Sequence, residues 1–597
     1  MEAGLSQSSK ASGWGLALAL ALVLLIRIPF WTQAVQGDDD TYLAEATHAL
    51  VDPLHPSHTK YVFLGEEWDL RGHPHPPLDA WVLAGLIAVV GGVKEVPFHA
   101  AYTVFSLIAA AAMWSLSKRF SSRPLWATLL FLAVPAFVVN GNSFETDLPF
   151  LAFWMAAMAG FVGGRMVLAV PAMVLAALTS PQCVFLTPIL AVYVWLYRRR
   201  DWAAWAATLV APVTFGVWQV FERVSTGAVP AEVLAKYLEH FDFWNPAARV
   251  ALAIHAWVLI FPVLTAAALV LAWRKRRESD TLFLLAWIGI FFACALVVFF
   301  AGSARYLLPM AAPLALLASR LPAKWLAAGF VFQLALGLGM AVVNYQHWDG
   351  YRSLAERLQP ITREQRVWVN GEWGLRHYLE SNGALPLTKS QHLRAGDVVV
   401  SSDLGSSVSL TAPVSLITKV TIQPAIPLRL IGLESHSGYS TASRGVWPFG
   451  VSDGPIDRVR AEKIVERRAT LEYLTMNDAA AADHLVSGIY SLEDNRYRWM
   501  GRSAVVALKS PASALPLRVM LEIPQNAPAR HVALLLDGRE VASQTYQGPG
   551  AYTLESPPVR ASGVTATVEI DVDRTFTAPP DTRELGIVLT AAGFAAR

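Results

Sequence analysis

A chain of 597 residues with 54% hydrophobic residues and a mean hydropathy of +0.40 is too apolar to be a soluble protein of this size. Its net charge of +2, with basic residues only in short clusters flanking apolar stretches, excludes a nucleic-acid partner. The two cysteines, Cys183 and Cys294, both lie in apolar stretches, which excludes a disulfide framework and a cysteine metal site.

The apolar run 14–31 lacks a small-residue cleavage site and reads as a retained first span rather than a signal peptide. The polar loop after it, residues 37–78, opens on Gly37-Asp38-Asp39-Asp40-Thr41-Tyr42 and closes on His73-Pro74-His75-Pro76-Pro77-Leu78. Adjacent carboxylates at a bilayer edge raise one another's pKa unless a cation or an acceptor proton answers them. Asp38, Asp39 and Asp40 therefore suit a general base with a neighbour that binds a cation or substrate, although Asp40 equally suits a helix N-cap. Tyr42 falls one helical turn after Asp38 and shares its face if a helix begins there. His73 and His75 flank Pro74. They offer metal ligation with Asp69, Glu66 or Glu67, or a hydrogen bond beside a phosphate.

A spanning helix needs about 20 mostly apolar residues. Candidate spans are 14–34, 99–117, 124–142, 148–163, 166–180, 183–197, 203–221, 250–272, 281–301, 304–319 and 325–343, with 166–180 and 183–197 alternatively one unit broken at Pro181. The short segment 78–93 is settled by charge. If it does not cross, the clusters Lys118 to Arg123, Arg165, Arg198 to Arg200, Arg274 to Arg277 and Arg320 to Lys324 all fall on the cytoplasmic side. That reading gives about eleven spans, a cytoplasmic N-terminus and an exterior C-terminal region. It also brings the 37–78 loop, Asp147 in Glu145-Thr146-Asp147-Leu148-Pro149, Arg305 and Tyr306 to one exterior face. Asp147 stands where a loop meets a span, which is costly without a partner. Arg305 runs against the positive-inside trend and can bind a phosphate through its planar fork, or ordinary lipid headgroups. Glu239, His240 and Asp242 lie among Tyr237, Phe241, Phe243 and Trp244 and read as an interfacial aromatic belt.

Three domains are expected: 1–343 helical and membrane-embedded, 344–500 α/β, and 501–597 a β-sandwich of jelly-roll type, its strands separated by turns such as Asp537-Gly538. The absence of a Walker loop, a GxSxG elbow and an HExxH string removes support for ATP-driven transport and simple hydrolysis.

The set of motifs resembles polytopic glycosyltransferases of the GT-C class, specifically glycosyltransferase family 39, which includes protein O-mannosyltransferases and aminoarabinose transferases. Asp38, Asp39 and Tyr42 match the family's acidic pair and tyrosine, His75-Pro76-Pro77-Leu78 its HPPL string, Thr146-Asp147-Leu148-Pro149 its second acidic loop, and Arg305-Tyr306 to Pro309 its RY string. Departures are Asp39 where the family usually has Glu, Pro74 where aminoarabinose transferases have Glu, and Ser180-Pro181 in place of a Lys-Gly pair. The resemblance implies a GT-C-like helical polytopic membrane fold and transfer from a polyprenyl-phosphate-linked sugar to an extracytoplasmic acceptor. It implies Asp38 as base, Asp39 and Asp147 assisting, Arg305 on the donor phosphate, and Asp40, Tyr42, His73, His75 and Tyr306 near substrate. No cofactor is identified, a divalent cation being one candidate. The C-terminal region resembles β-sandwich modules that bind carbohydrate or position an acceptor. Two rival classes are a transporter or lipid flippase using the carboxylates as a coupling-ion site, and a polymer-binding assembly subunit.

Overall fold

Proline decides where several apolar stretches stop being straight helices. In the computed structural model, which describes residues 2–238, 245–410, 412–465, 469–525, 527–578, 581 and 583–595, the expected span 250–272 is two helices, Pro246–Trp257 and Pro262–Arg274, bent by 81°. Pro262 has no N–H and holds Phe261 in extended backbone (φ −48°, ψ 120°), so the helix restarts there. Pro135 acts likewise after Val134, splitting 124–142 into Pro124–Leu132 and Pro135–Asn140. Val134 and Ile260 at these breaks are fully buried, a setting in which non-helical backbone is tolerated at membrane depth. The belt residues 239–244 and the Tyr237 side chain lie outside the described residues.

Among the described residues, four helices are long and apolar enough to cross a membrane: Glu95–Phe120, Trp202–Thr226, Ser279–Val298 and Ala323–Glu364. The bent pair makes a fifth candidate, and the remaining apolar helices, such as Asp147–Val162 and Met166–Ala177, are shorter than the eleven-span reading expected. Met166–Ala177 and Leu186–Tyr197 fold back on each other, because the Tyr193 hydroxyl donates to the Val162 carbonyl (3.1 Å) ahead of the first of them.

The helices have two distinct ends. At one, Arg119 pairs with Asp280 (3.0 Å), Arg320 donates to Thr281 (2.6 Å) and Ser121 meets Ser319 (2.7 Å), which gathers the basic loops. At the other, the Leu78 N–H donates to the Leu178 carbonyl (2.9 Å) and Tyr378 donates to Glu95 (2.8 Å). The helix Leu78–Val90 lies between these last two anchors, so both its flanks are at the same end of the helices. Buried Arg27 fixes this end from inside. Its guanidinium donates to the carbonyls of Phe137 (2.6 Å) and Val138 (2.7 Å), in the last turn of Pro135–Asn140, where the helix C-terminus favours a cation. Gly141 is required there, since a Cβ would fall 1.7 Å from the Arg27 guanidinium carbon.

The domain edge expected at residue 344 falls inside one helix. Ala323–Glu364 runs 42 residues, about 63 Å at 1.5 Å per residue, out of the apolar bundle and into the next unit. That unit is a mixed five-stranded sheet. Val367–Asn370 pairs in parallel with Leu385–Pro386 and Val398–Ser402, and the latter pairs antiparallel with Asp457–Ile464, which pairs with Val414–Ile422. Helix Trp373–Ser381 packs on it toward the helical end that holds the acids.

The second edge also moves. Tyr473–Thr475 pairs with Val588–Phe594, and Leu485–Glu493 with Tyr497–Lys509, so the β unit starts near residue 471 rather than 501. Asp537 (φ 50°) and Gly538 (φ 81°) make the expected hairpin turn, the mirror-image type whose twist suits flanking strands. Strands Arg539–Tyr546 and Gly550–Val559 stand at opposite ends of the sheet path, yet only three residues separate them. The sheet therefore curls over, bringing the Tyr546 and Tyr552 rings to 4.4 Å around one apolar core.

Candidate active site

The three acids that look alike in sequence have three different environments. Helix Asp39–Ala49 starts two residues earlier than a cap at Asp40 requires, and Asp38 stands at the N-cap position without a side-chain cap bond. Asp38 is the open one, its side chain 44% exposed. Asp39 is 0% exposed and departs from the catalytic role expected for it. Its oxygens accept from the Gln36 N–H (3.0 Å), the Ser143 hydroxyl (2.8 Å) and the Phe144 N–H (2.7 Å), which ties the first acidic loop to the second. Burial pushes this carboxyl up to about 7, against the pull of those hydrogen bonds. Asp40 likewise departs from a substrate contact. It accepts from the Tyr61 hydroxyl (2.8 Å) and meets His377 Nδ1 (2.8 Å), which docks the α/β unit.

Arg305, in the turn Arg305–Leu307 that precedes Leu308–Ala318, is the centre of the site. Its guanidinium meets Asp38 (3.2 Å), Glu145 in direct contact, and Asp147 (3.5 Å). Arg305, Glu145 and Asp147 are buried, with side-chain exposures of 9, 4 and 11%, so Asp38 is the member of this cluster that faces outward. Glu145 also accepts from the Asp38 N–H (3.1 Å). Gly37 makes that approach feasible: its φ is +46°, and a Cβ would fall 2.7 Å from Glu145 Oε1. Arg305 thus departs from a free phosphate-binding fork, because carboxylates already face its three nitrogens, although Nε makes no hydrogen bond with Asp147.

A ring cluster borders the acids. Tyr42 is buried, its hydroxyl 3.3 Å from Thr146 Oγ1, and its ring packs on His73 (4.8 Å, edge-on) and His75 (5.7 Å). His73 Nδ1 meets Glu45 (3.1 Å) and His75 Nδ1 meets Thr146 Oγ1 (3.1 Å). Burial first, then His73 and Arg305 beside it, push the His75 ring well below the ordinary histidine range. Tyr306 is half-buried, 5.4 Å from the Arg305 guanidinium.

The metal set considered from sequence is not assembled. Asp69 binds Arg71, Glu66 binds Lys389 (2.7 Å) and Glu67 binds Lys60, each away from His73 and His75. Among the described residues no group of three or more His, Cys, Asp or Glu side chains is arranged for a metal. In the acid cluster itself Arg305 already stands where a divalent cation would, so the donor set fits a guanidinium rather than a metal.

Sequence reading left four contributors without a role: Glu145, Arg27, His377 and Tyr439. Glu145 had a signal, standing two residues before Asp147 in the same acidic turn. The other three act on partners more than a hundred residues away in the chain.

A family model described as dolichyl-phosphate-mannose-protein mannosyltransferase matches residues 74–166, the stretch holding the HPPL string and the Thr146-Asp147-Leu148-Pro149 turn. The resemblance to family 39-like glycosyltransferases of the GT-C class therefore holds there. Among solved structures, ArnT from Cupriavidus metallidurans bound to undecaprenyl phosphate is similar at 16% identity and TM-score 0.46, over 66% of this chain and 94% of that one. Its apo state is similar at 16% identity and TM-score 0.45, over 66% and 93%. Arabinofuranosyltransferase AftD from Mycobacteria is similar at 11% identity and TM-score 0.38, over 97% of this chain and 61% of that one. A search of curated proteins finds no match.

Proposed function

We propose that this chain is a multi-pass membrane glycosyltransferase that moves one sugar from a polyprenyl-phosphate-linked donor to an acceptor outside the cytoplasm. One observation carries the reading: acids from two distant loops converge on Arg305, and Asp38 alone among them is open to an incoming molecule. The family match over residues 74–166, whose description names a lipid-phosphate sugar donor, supports the donor class. The basic loops gathered at the opposite helical end support an exterior site, a cytoplasmic N-terminus and an extracytoplasmic C-terminal region.

In this reading Asp38 accepts the proton of the acceptor hydroxyl as that oxygen bonds to the sugar, while the sugar–phosphate bond breaks and the lipid phosphate leaves. Arg305 stabilises the charge on the departing phosphate. A donor phosphate and Asp38 compete for the same guanidinium edge, so donor arrival releases Asp38 as the stronger base. Glu145 and Asp147 keep Arg305 in place throughout. Asp39 holds the loops, and Tyr42 with His73 and His75 walls the sugar side.

The test is Asp38→Asn, assayed with a labelled polyprenyl-phosphate sugar in proteoliposomes. Transfer is expected to vanish while expression and thermal unfolding stay unchanged, and cells lacking the protein accumulate the lipid-linked sugar. Full transfer by the variant removes Asp38 as base, and lipid flux across sealed vesicles without sugar transfer replaces the enzyme by a transporter.

A further inference from the structure

Residues 429–454 of the α/β unit form a tightly wound excursion that the proposed chemistry has not used. Arg429, 1% exposed, pins its base by donating to the carbonyls of Ile426 (2.9 Å), Leu428 (2.7 Å) and Gly454 (3.1 Å). Gly438 and Gly445 close it, since a Cβ at either would fall 2.0 Å from the Thr441 carbonyl oxygen or 1.8 Å from that of His436. The excursion reaches back into the helical region. The Ala442 N–H donates to the Ala301 carbonyl (2.8 Å), and the Tyr439 carbonyl accepts from both the Ser303 hydroxyl and the Ala304 N–H (3.1 Å each).

Tyr439 is 7% exposed, and its phenol donates to the Asn140 side-chain oxygen. An amide oxygen only accepts, so this bond fixes which way the Asn140 amide faces. Its NH2 is then turned to Asp147 Oδ2, at 3.4 Å, and that same oxygen faces Arg305 Nε at 3.5 Å. Tyr439 therefore holds both sides of one contact: Asp147 through Asn140, and the two residues preceding Arg305 through its own carbonyl. We propose that Tyr439 is a positioning residue of the site, so that the α/β unit completes a constellation whose charged groups all come from the helical region.

The kinetic consequence rests on the glycosyl-transfer reading, whereas the structural one does not, and the experiment separates them. In full-length protein, Tyr439→Phe removes one oxygen and keeps the ring. It is expected to lower kcat by roughly ten- to a hundredfold with KM unchanged, the size of effect that follows from a slight misplacement of reacting groups. Carbodiimide labelling read by mass spectrometry is expected to rise severalfold at Asp147 and stay unchanged at Asp39 and Asp40. Asn140→Leu, which breaks the same link from the helical side, is expected to reproduce that pattern, and adding Tyr439→Phe to it to change nothing more. Wild-type kcat together with wild-type labelling at Asp147 overturns the proposal, as does a rise at Asp39 and Asp40 equal to that at Asp147. Absence of transfer in the wild type sinks the transfer reading alone, because the labelling at Asp147 still decides the link.

Discussion

Gly37, Asp38 and Asp39 are consecutive, yet substitution at each is expected to fail in a different way. Asp39→Asn puts an NH2 group where three donors, the Gln36 N–H, the Ser143 hydroxyl and the Phe144 N–H, all seek an acceptor. Whichever way the amide turns, at least one buried donor goes unanswered, at a cost of about 1–3 kcal/mol. Thermal unfolding of the purified protein should show the loss, whereas Asp38→Asn, at a half-open position, should leave the midpoint in place and remove transfer. Gly37→Ala combines a φ of +46° with a Cβ that pushes on Glu145, and is expected to lower kcat while the bulk of the fold persists. Equal midpoints for the Asp39 and Asp38 variants would contradict this division. Nothing local in a run of three aspartates distinguishes them. Their burial is set by Ser143 and Phe144 for Asp39 and by His377 for Asp40, so sequence could locate the site at this run but not the open carboxylate within it.

At the scale of elements, helix Trp373–Ser381 docks on helix Asp39–Ala49 through a titratable contact. Burial disfavours the charged His377 ring, but the hydrogen bond and charge of Asp40 outweigh it and the ring is raised above its ordinary 6.5. Burial also disfavours ionised Asp40, and His377 outweighs it, leaving that carboxyl below 3.8. A raised histidine contributes stability in full below about 6.5 and loses it as pH climbs through the raised value. A lowered aspartate contributes above about 3.8 and loses it as pH falls through the lowered value. Docking is therefore expected to be firmest between roughly pH 4 and 6.5 and to loosen on the alkaline side. Hydrogen exchange of amides 373–381, corrected for intrinsic rates across pH 5 to 9, should accelerate in the wild type and show a smaller pH dependence in His377→Ala, the remainder coming from Glu372 on the same helix, which burial pushes up to about 7. The elements themselves were partly legible. Charge sidedness was enough to put both flanks of Leu78–Val90 at one end of the helices, because Lys and Arg mark loops whatever the helix lengths. Hydropathy missed the 81° bend at Pro262 and the run of Ala323–Glu364 past residue 344, since apolar content continues through a kink and helix continues past apolar content.

The whole molecule has two units outside the helical bundle, fastened in different ways, and truncation should separate them. The α/β unit shares the 42-residue helix with the bundle, accepts the Val35 N–H on Tyr378 (2.8 Å) and the Leu64 N–H on Glu372 (2.8 Å), and inserts Tyr439 beside Asn140. The β unit instead buries its own core, from Leu474 to Phe594, and meets the α/β unit through an exposed His392–Glu569 pair at 3.1 Å. Such a surface pair is worth about 0–1 kcal/mol. A chain ending after residue 470 is therefore expected to keep transfer within about twofold of wild type at saturating acceptor, a change of about 0.4 kcal/mol in barrier. A chain ending after residue 343 is expected to lose transfer, because it cuts Ala323–Glu364 in half and removes the partners of Asp40 and Asn140 together. The complementary fragment 471–597 should unfold cooperatively by itself, and if it positions acceptor, the shortened enzyme will show a raised KM with unchanged kcat. Loss of kcat on removing the β unit would place part of the catalytic geometry there and contradict a site built from the bundle and the α/β unit alone.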